Sequence, residues 1–160
     1  MKHKFLSGSQ MLWLVILRVA IGWHFLFEGL AKLSDPDWSS YLYLMDSKGF
    51  LEGFFKMLAG NEQTLHIVDL MNIWGLIIIG LFLMLGLFTK QVTMAAILLL
   101  SLYYLSHPPF FNLDYALPDA GSHWIVDKML IEILALVILL VFPTGKEVGL
   151  DRLIYSKKRK

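Results

Sequence analysis

The most constraining feature of the sequence is an apolar run over residues 11–33 that carries ionisable side chains in its interior. As a helix rising about 1.5 Å per residue, the run is long enough to cross the roughly 30 Å hydrocarbon core of a bilayer. Arg18, His24 and Glu28 interrupt it, and each costs about 2.5–3.5 kcal/mol or more if left unpaired at the bilayer centre. The sequence therefore predicts a spanning helix whose polar side chains meet partners on other helices.

One face of this predicted helix combines small and polar residues. At about 100° per residue, the side chains within about 80° of one another are Arg18, Gly22, Phe25, Gly29 and Lys32. His24 and Glu28 flank this face. The two glycines allow a second helix backbone to approach closely, although a packing role alone would explain them equally well. Lys32 fits an anchor at the membrane interface as well as a ligand-binding residue.

The composition explains why an apolar helix of this kind is not the core of a soluble protein. Of 160 residues, 57% are hydrophobic and 17% are charged, whereas soluble domains are nearer about 45–50% and about 25%. We expect a single integral membrane domain over 1–160 whose surface contacts the lipid bilayer, with no nucleic-acid partner. Because the chain has no cysteine, disulfides, thiolate metal ligands and dithiol exchange are excluded, and a redox role needs a borrowed cofactor.

The hydrophobic segments predict an all-α, integral membrane four-helix bundle. The predicted spans are 11–33, 68–89, 91–106 and 123–142. Lys90 and Gln91 form the turn between the second and third spans, and Ser122 caps the fourth. In the first outer loop, an interfacial amphipathic helix is predicted from the helical spacing of Phe50, Leu51, Phe54, Phe55 and Leu58.

The distribution of charge predicts the orientation of these spans. The N-terminus, the Lys90 turn and the tail 145–160 are basic, whereas the loops 34–65 and 107–123 are acidic. The positive-inside rule then places both termini in the cytoplasm. We expect no cleavage of the first span as a signal peptide, because its apolar region is interrupted by charges and no small-residue cleavage site follows.

Depth estimates for the polar side chains predict a ladder of ion pairs. Counted from the span ends, Arg18 lies within reach of Glu132, and Glu28 lies level with Lys128. Further polar residues, including His66, His107 and His123, crowd the outer ends of the helices, so we expect a polar mouth that opens outward. The candidate cofactor-binding residues are Arg18, His24, Glu28, Lys32, His107, Lys128 and Glu132.

Several functions are chemically compatible with such a mouth. Histidines and carboxylates suit a quinone headgroup, a proton route or a metal, and the ladder would equally serve only to set helix register. No His-x-x-x-His or Glu-x-x-His pattern occurs, so no metal site is predicted. No nucleotide loop, nucleophile elbow or iron–sulfur pattern is present either, and whether the chain is an enzyme stays open.

The motifs resemble those of the DoxX/DoxD family of small four-helix membrane proteins. The similar features are the pattern Arg18-x-x-x-Gly22-x-x-Phe25-x-x-x-Gly29-x-x-Lys32-Leu33, the run from Gly80 to Lys90, and Lys128 in the opening turns of the last span. Carried over residue by residue, the motif positions are Arg18, Gly22, Gly29, Lys32 and Lys128. Where that family commonly has asparagine after the last-span lysine, this chain has Met129.

The resemblance implies a bacterial inner-membrane protein of redox association. Members of the family include the quinone-reducing membrane subunit of thiosulfate:quinone oxidoreductase and membrane partners of oxidative-stress enzymes. Our leading hypothesis is therefore a quinone-linked membrane subunit of an oxidoreductase complex, with a periplasmic or membrane redox protein as partner. Two alternatives are a non-enzymatic anchor or assembly subunit that recruits a periplasmic partner, and a small-solute or proton-coupled transporter. Whether the chain also forms a homo-oligomer stays open.

Overall fold

The computed structural model describes residues 7–109, 115 and 125–156. The described residues form helices and the segments that connect them, and include no strand. The helices are α1 Gly8–Ser34, α2 Tyr41–Met45, α3 Glu52–Ala59, α4 Glu62–Leu85, α5 Thr89–Ser106, α6 Lys128–Val141 and α7 Asp151–Ser156, with a 3₁₀ turn at Thr144–Lys146. The predicted all-helical class is confirmed.

The first helix begins earlier than predicted because a capping box starts it. The Ser7 hydroxyl accepts a hydrogen bond from the Gln10 backbone N–H at 3.2 Å, and the Gln10 side chain accepts one from the Ser7 N–H at 2.9 Å. These bonds satisfy backbone donors that have no partner within the helix. The resulting helix of 27 residues is about 40 Å long.

Close glycine contacts hold α1 against α4. A Cβ added to Gly22 would lie 2.9 Å from the Gly80 carbonyl oxygen and 2.9 Å from the Met84 N–H nitrogen. A Cβ added to Gly29 would lie 2.7 Å from the Ile77 side chain. Because residue numbers fall along α4 as they rise along α1, the two helices are antiparallel. The predicted close approach at the glycine face is confirmed.

The four long helices pack in a ring. α1 contacts α4, α4 contacts α5, α5 contacts α6, and α6 returns to α1. The ring encloses a core of buried apolar side chains: Ile21, Phe25, Leu76, Ile79, Leu83, Val92, Ala96, Leu100, Leu136 and Leu139. The α1–α4 contact is the most extensive of the four, and the α1–α6 contact is the least extensive.

The connection between α4 and α5 differs from the predicted one. Gly86 adopts a left-handed conformation with φ 65° and ends α4, and Phe88 follows with φ 46°. Asp151 then accepts hydrogen bonds from the backbone N–H groups of Phe88 and Thr89 at 2.7 and 2.9 Å. The turn therefore lies at 86–88, and Lys90 belongs to the first turn of α5.

The last long helix is shorter than predicted. α6 begins at Lys128, where the Asp127 carboxylate accepts from the Leu130 N–H at 2.8 Å. The prediction of a helix from 123 with Ser122 as its cap is wrong for the described residues 125–127, which precede the helix; Ser122 itself lies outside the described residues. Asp127 is therefore the N-cap from which α6 starts.

Two of the described helices are long and apolar enough to cross a membrane, namely α1 and α4. Only 28% and 22% of their most apolar stretches are buried, whereas a core helix of a soluble protein is buried on most sides. Apolar side chains such as Trp13, Phe27 and Met71 instead lie on the outside. Such a surface is suited to lipid.

The connection between α1 and α4 forms two short helices, α2 and α3, in place of the one helix predicted. Phe55 and Ala59 of α3 are buried with Leu44 of α2. Phe50 precedes α3 and is 96% exposed, so it does not continue the predicted apolar stripe. The positive φ of 88° at Gly49 separates the two helices because it breaks the helical path.

Candidate functional site

A cavity of about 620 Å³ lies between α1, α4, α5, α6 and the segment that leads into α2. Five of the seven predicted site residues line it: His24, Glu28, Lys32, Lys128 and Glu132. Apolar and aromatic side chains complete the wall, among them Phe25, Trp38 and Leu100. A few polar groups in a mostly apolar cavity are typical of a small-molecule site.

The centre of the cavity is a chain of three polar side chains. The Lys32 ammonium donates to Asn72 Oδ1 at 2.9 Å, and Asn72 Nδ2 donates to the Tyr103 hydroxyl oxygen at 2.6 Å. Asn72 thereby fixes both neighbours. Lys32 keeps two further N–H donors, and no described residue accepts the Tyr103 proton. Several hydrogen-bond donors are therefore available to an oxygen atom of a ligand.

Aromatic rings surround the Lys32 ammonium. It lies 4.9 Å from the centre of the Trp38 ring and 5.7 Å from that of Tyr103, which are distances for cation–π attraction. Tyr43 packs edge-on to Tyr103, with ring centres 6.0 Å apart, and donates to the Tyr103 carbonyl oxygen at 3.2 Å. Burial raises the pKa of Tyr43 above its ordinary value, which further favours the protonated phenol that an ordinary tyrosine already has at neutral pH.

The segment that leads into α2 is held against α4 by one carboxylate. Asp69 accepts from the Ser40 N–H at 2.9 Å, from the Ser39 hydroxyl at 2.9 Å and from the Ser40 hydroxyl. Ser39, Ser40 and Trp38 line the cavity. The bonds to Asp69 therefore hold Trp38 near Lys32.

The acidic side of the cavity is arranged differently from the predicted ladder. Glu132 Oε2 lies 3.8 Å from His24 Nε2, so the predicted Arg18–Glu132 pair is wrong. Glu28 and Lys128 are both described, but no ion pair joins them. They share the cavity wall instead. The predicted pairs were derived from residue depths counted from the ends of the predicted spans. The observed helices begin and end at different residues, so the depths do not match.

Arg18 belongs to a separate buried cluster at the other end of the bundle. Its guanidinium donates to the Thr144 hydroxyl at 2.7 Å and to the Val148 carbonyl at 2.8 Å. The tail folds back there, since the Asp151 N–H donates to the Gly86 carbonyl at 3.0 Å. Arg18 is 2% exposed and does not reach the cavity. Its position indicates a structural role in docking the tail onto α1.

The remaining predicted histidines lie outside the cavity. His107 stacks on Tyr43 with ring centres 4.0 Å apart, and its Nε2 is 3.9 Å from Asp46 Oδ2. It therefore supports the wall behind Tyr43. His66 is exposed on α4, and His123 lies outside the described residues.

Sequence reasoning did not identify Asn72, Tyr103 or Trp38 as site residues. Asn72 is a lone amide in an otherwise apolar, uncharged stretch of α4, and such a residue in a spanning helix needs a partner. That signal was available. Tyrosine and tryptophan are enriched at membrane interfaces in general. Nothing local in the sequence therefore marked Tyr103 and Trp38 as site residues. No group of three potential metal ligands occurs among the residues that the structure describes.

These features define a helical membrane protein with a polar cavity among its long helices. A sequence model of one family, DoxX, matches residues 13–107, which is more than half of the chain. The protein belongs to the DoxX family. No curated protein and no solved structure matches the chain.

Proposed function

We propose that the protein is a quinone-linked membrane subunit of an oxidoreductase complex. The observation that carries the proposal is the aromatic-walled cavity in which Lys32 and Tyr103 present hydrogen-bond donors beside Asn72. A quinone headgroup is planar and apolar on its faces and carries carbonyl oxygens at its edge. Aromatic faces and converging donors fit that chemistry.

The residues of the chain divide into two functional groups around this cavity. Lys32 and Tyr103 bind and orient a carbonyl oxygen, since both have donors to spare. His24 and Glu132, 3.8 Å apart, can hold and pass a proton on the α1–α6 side. A bound quinone would supply the capacity to accept two electrons and two protons. Trp38 and Leu100 exclude water from the headgroup.

The electrons must come from a partner under this proposal. The chain has no cysteine, so it has no thiol of its own to donate electrons or to hold an iron–sulfur cluster. A redox protein docked at the outer end of the bundle, close to the cavity mouth, would deliver them. This requirement agrees with the redox association of other DoxX/DoxD members.

The proposal includes a membrane arrangement. The ring formed by α1, α4, α5 and α6 would span a bacterial inner membrane four times, with both termini in the cytoplasm. The basic ends of the chain and the acidic outer loops support this orientation. The cavity then opens toward the periplasmic side, and the Arg18 cluster lies toward the cytoplasm.

Extraction and binding test the proposal. Purified protein should yield menaquinone or ubiquinone to organic solvent, or should bind added menaquinone-4. Lys32→Met should abolish retention, and Tyr103→Phe should weaken it by about tenfold or less, because one hydrogen bond contributes about 0.5–1.5 kcal/mol. Lys56→Met is the control, since Lys56 pairs with Glu52 on α3 at 2.5 Å and does not line the cavity. Absence of quinone from the purified protein together with no binding of added quinone would overturn the proposal.

A second candidate is an anchor or assembly subunit without redox chemistry. The observation that favours it is the group of exposed apolar side chains on the outer loop, where Leu42, Phe50 and Met57 are 67%, 96% and 64% exposed. Affinity purification from intact membranes separates the two functions. An anchor would retain its partner in Lys32→Met and lose it in Phe50→Ser with Met57→Ser, whereas a quinone subunit would lose electron transfer in Lys32→Met.

A further inference from the structure

A second concavity lies on the outside of the bundle between α1 and α6. It measures about 400 Å³, and its walls come only from these two helices. On α1 the apolar wall includes Leu17, Ala20 and Ile21, and on α6 it includes Ile131 and Ala135. We call this concavity the α1–α6 groove. It lies at the least extensive of the four helix contacts in the ring.

The groove and the cavity share part of their walls. His24, Lys128 and Glu132 line both. His24 is 58% exposed and Glu132 is 18% exposed, so the pair lies at the boundary between the outside and the interior. Ile131, on the groove wall, is 59% exposed. A molecule could therefore extend from the polar cavity past His24 into an apolar channel open to the bilayer.

We propose that the α1–α6 groove is a lateral portal, through which a ligand with a polar head and a long apolar tail enters from the bilayer and along which its tail remains bound. The proposal rests on the proposed function and names its substrate class: a quinone with a polyprenyl tail, in preference to a small soluble quinone. The polar cavity matches the head, and the apolar groove matches the tail. The shared residues His24 and Glu132 lie where the two parts of such a ligand join.

Filling the groove tests the portal. Ala20→Trp and Ala135→Trp each place a large side chain in it without altering a polar residue. We expect either variant to weaken binding of menaquinone-4 by about tenfold or more, the loss expected when roughly two methylene groups are no longer buried. Binding of 2,3-dimethyl-1,4-naphthoquinone, which has no tail, should stay unchanged. Ala95→Trp is the matched control because Ala95 is exposed on α5 and lines neither the cavity nor the groove.

A second readout does not depend on a bulky substitution. Since the chain has no cysteine, Ala135→Cys introduces a single thiol into the groove. Menaquinone-4 should protect this thiol from N-ethylmaleimide, whereas the tail-less naphthoquinone should not. A thiol introduced as Ala95→Cys should react equally fast with and without either quinone.

The outcomes separate the portal from the proposed function. If wild type binds both quinones and the tryptophan variants bind them equally well, or if the thiol at 135 stays reactive with menaquinone-4 bound, the portal is wrong and the quinone function stands. If wild type binds neither quinone, both the proposed function and the portal are wrong. Spontaneous disulfide cross-linking of Ala135→Cys chains would assign the groove to a second copy and would also overturn the portal.

Discussion

The glycine contact between α1 and α4 allows the sharpest prediction about stability. Replacing Gly22 by alanine adds a Cβ that would lie 2.9 Å from the Gly80 carbonyl oxygen and 2.9 Å from the Met84 nitrogen. Both are backbone atoms, so they cannot rotate away as a flexible side chain would. The helices must separate at this point, which loosens the most extensive contact in the ring.

The magnitude follows from two opposing effects. Alanine in a helix interior is favoured over glycine by about 0.8–1.0 kcal/mol, whereas an extra methyl group forced into a packed contact costs about 1–3 kcal/mol. A Cβ at Gly75, which lies on α4, would meet nothing within 4 Å. Gly75→Ala therefore reports the first effect alone. The difference between Gly22→Ala and Gly75→Ala isolates the contact, and we expect Gly22→Ala to be lower in free energy of unfolding by about 1–3 kcal/mol.

Thermal or denaturant unfolding of both variants in one detergent, followed by circular dichroism, measures this difference. A shift of 1 kcal/mol corresponds to about 2–4 °C in Tm for a chain of this length. Gly29→Ala should behave like Gly22→Ala, because its Cβ would lie 2.9 Å from the Ile77 backbone nitrogen. If Gly22→Ala is as stable as Gly75→Ala, the helices are not in the contact described, and the argument fails.

Three further predictions concern other parts of the molecule. Asp151→Ala should lower the free energy of unfolding by about 2–4 kcal/mol, because it leaves the backbone donors at the start of α5 without their acceptor; an equally stable variant in denaturant unfolding would contradict this. A cysteine at Glu62 should react with an impermeant thiol reagent in whole cells and one at Lys146 should not, and the reverse labelling would invert the proposed topology. Glu28→Gln and Lys128→Met should be additive within about 0.5 kcal/mol in a double-mutant cycle, since no ion pair joins them; a larger coupling measured in detergent melting would show that they interact.

The local signals in the sequence predicted much of the helical framework. The spacing of Gly22 and Gly29 predicted which face of α1 meets another helix, and the observed neighbours on α4 confirm it. The position of Lys32 on the inward face of α1 followed from the same periodicity. The ends of the helices were less well predicted. For α6, the sequence offered both Ser122 and Asp127 as caps, and the helix starts after Asp127.

The tertiary structure alone decided which polar groups meet. Arg18 was matched to Glu132 by depth, yet the tail folds back and offers it Thr144 and the Val148 carbonyl, which leaves Glu132 beside His24. The Lys32–Asn72–Tyr103 chain likewise joins three different helices. Helical periodicity is a local property, so the sequence by itself determined which residues share a face. The partner across a helix contact depends on the axial offset between helices and on the path of the connecting segments, and these are set by the packing of the whole chain.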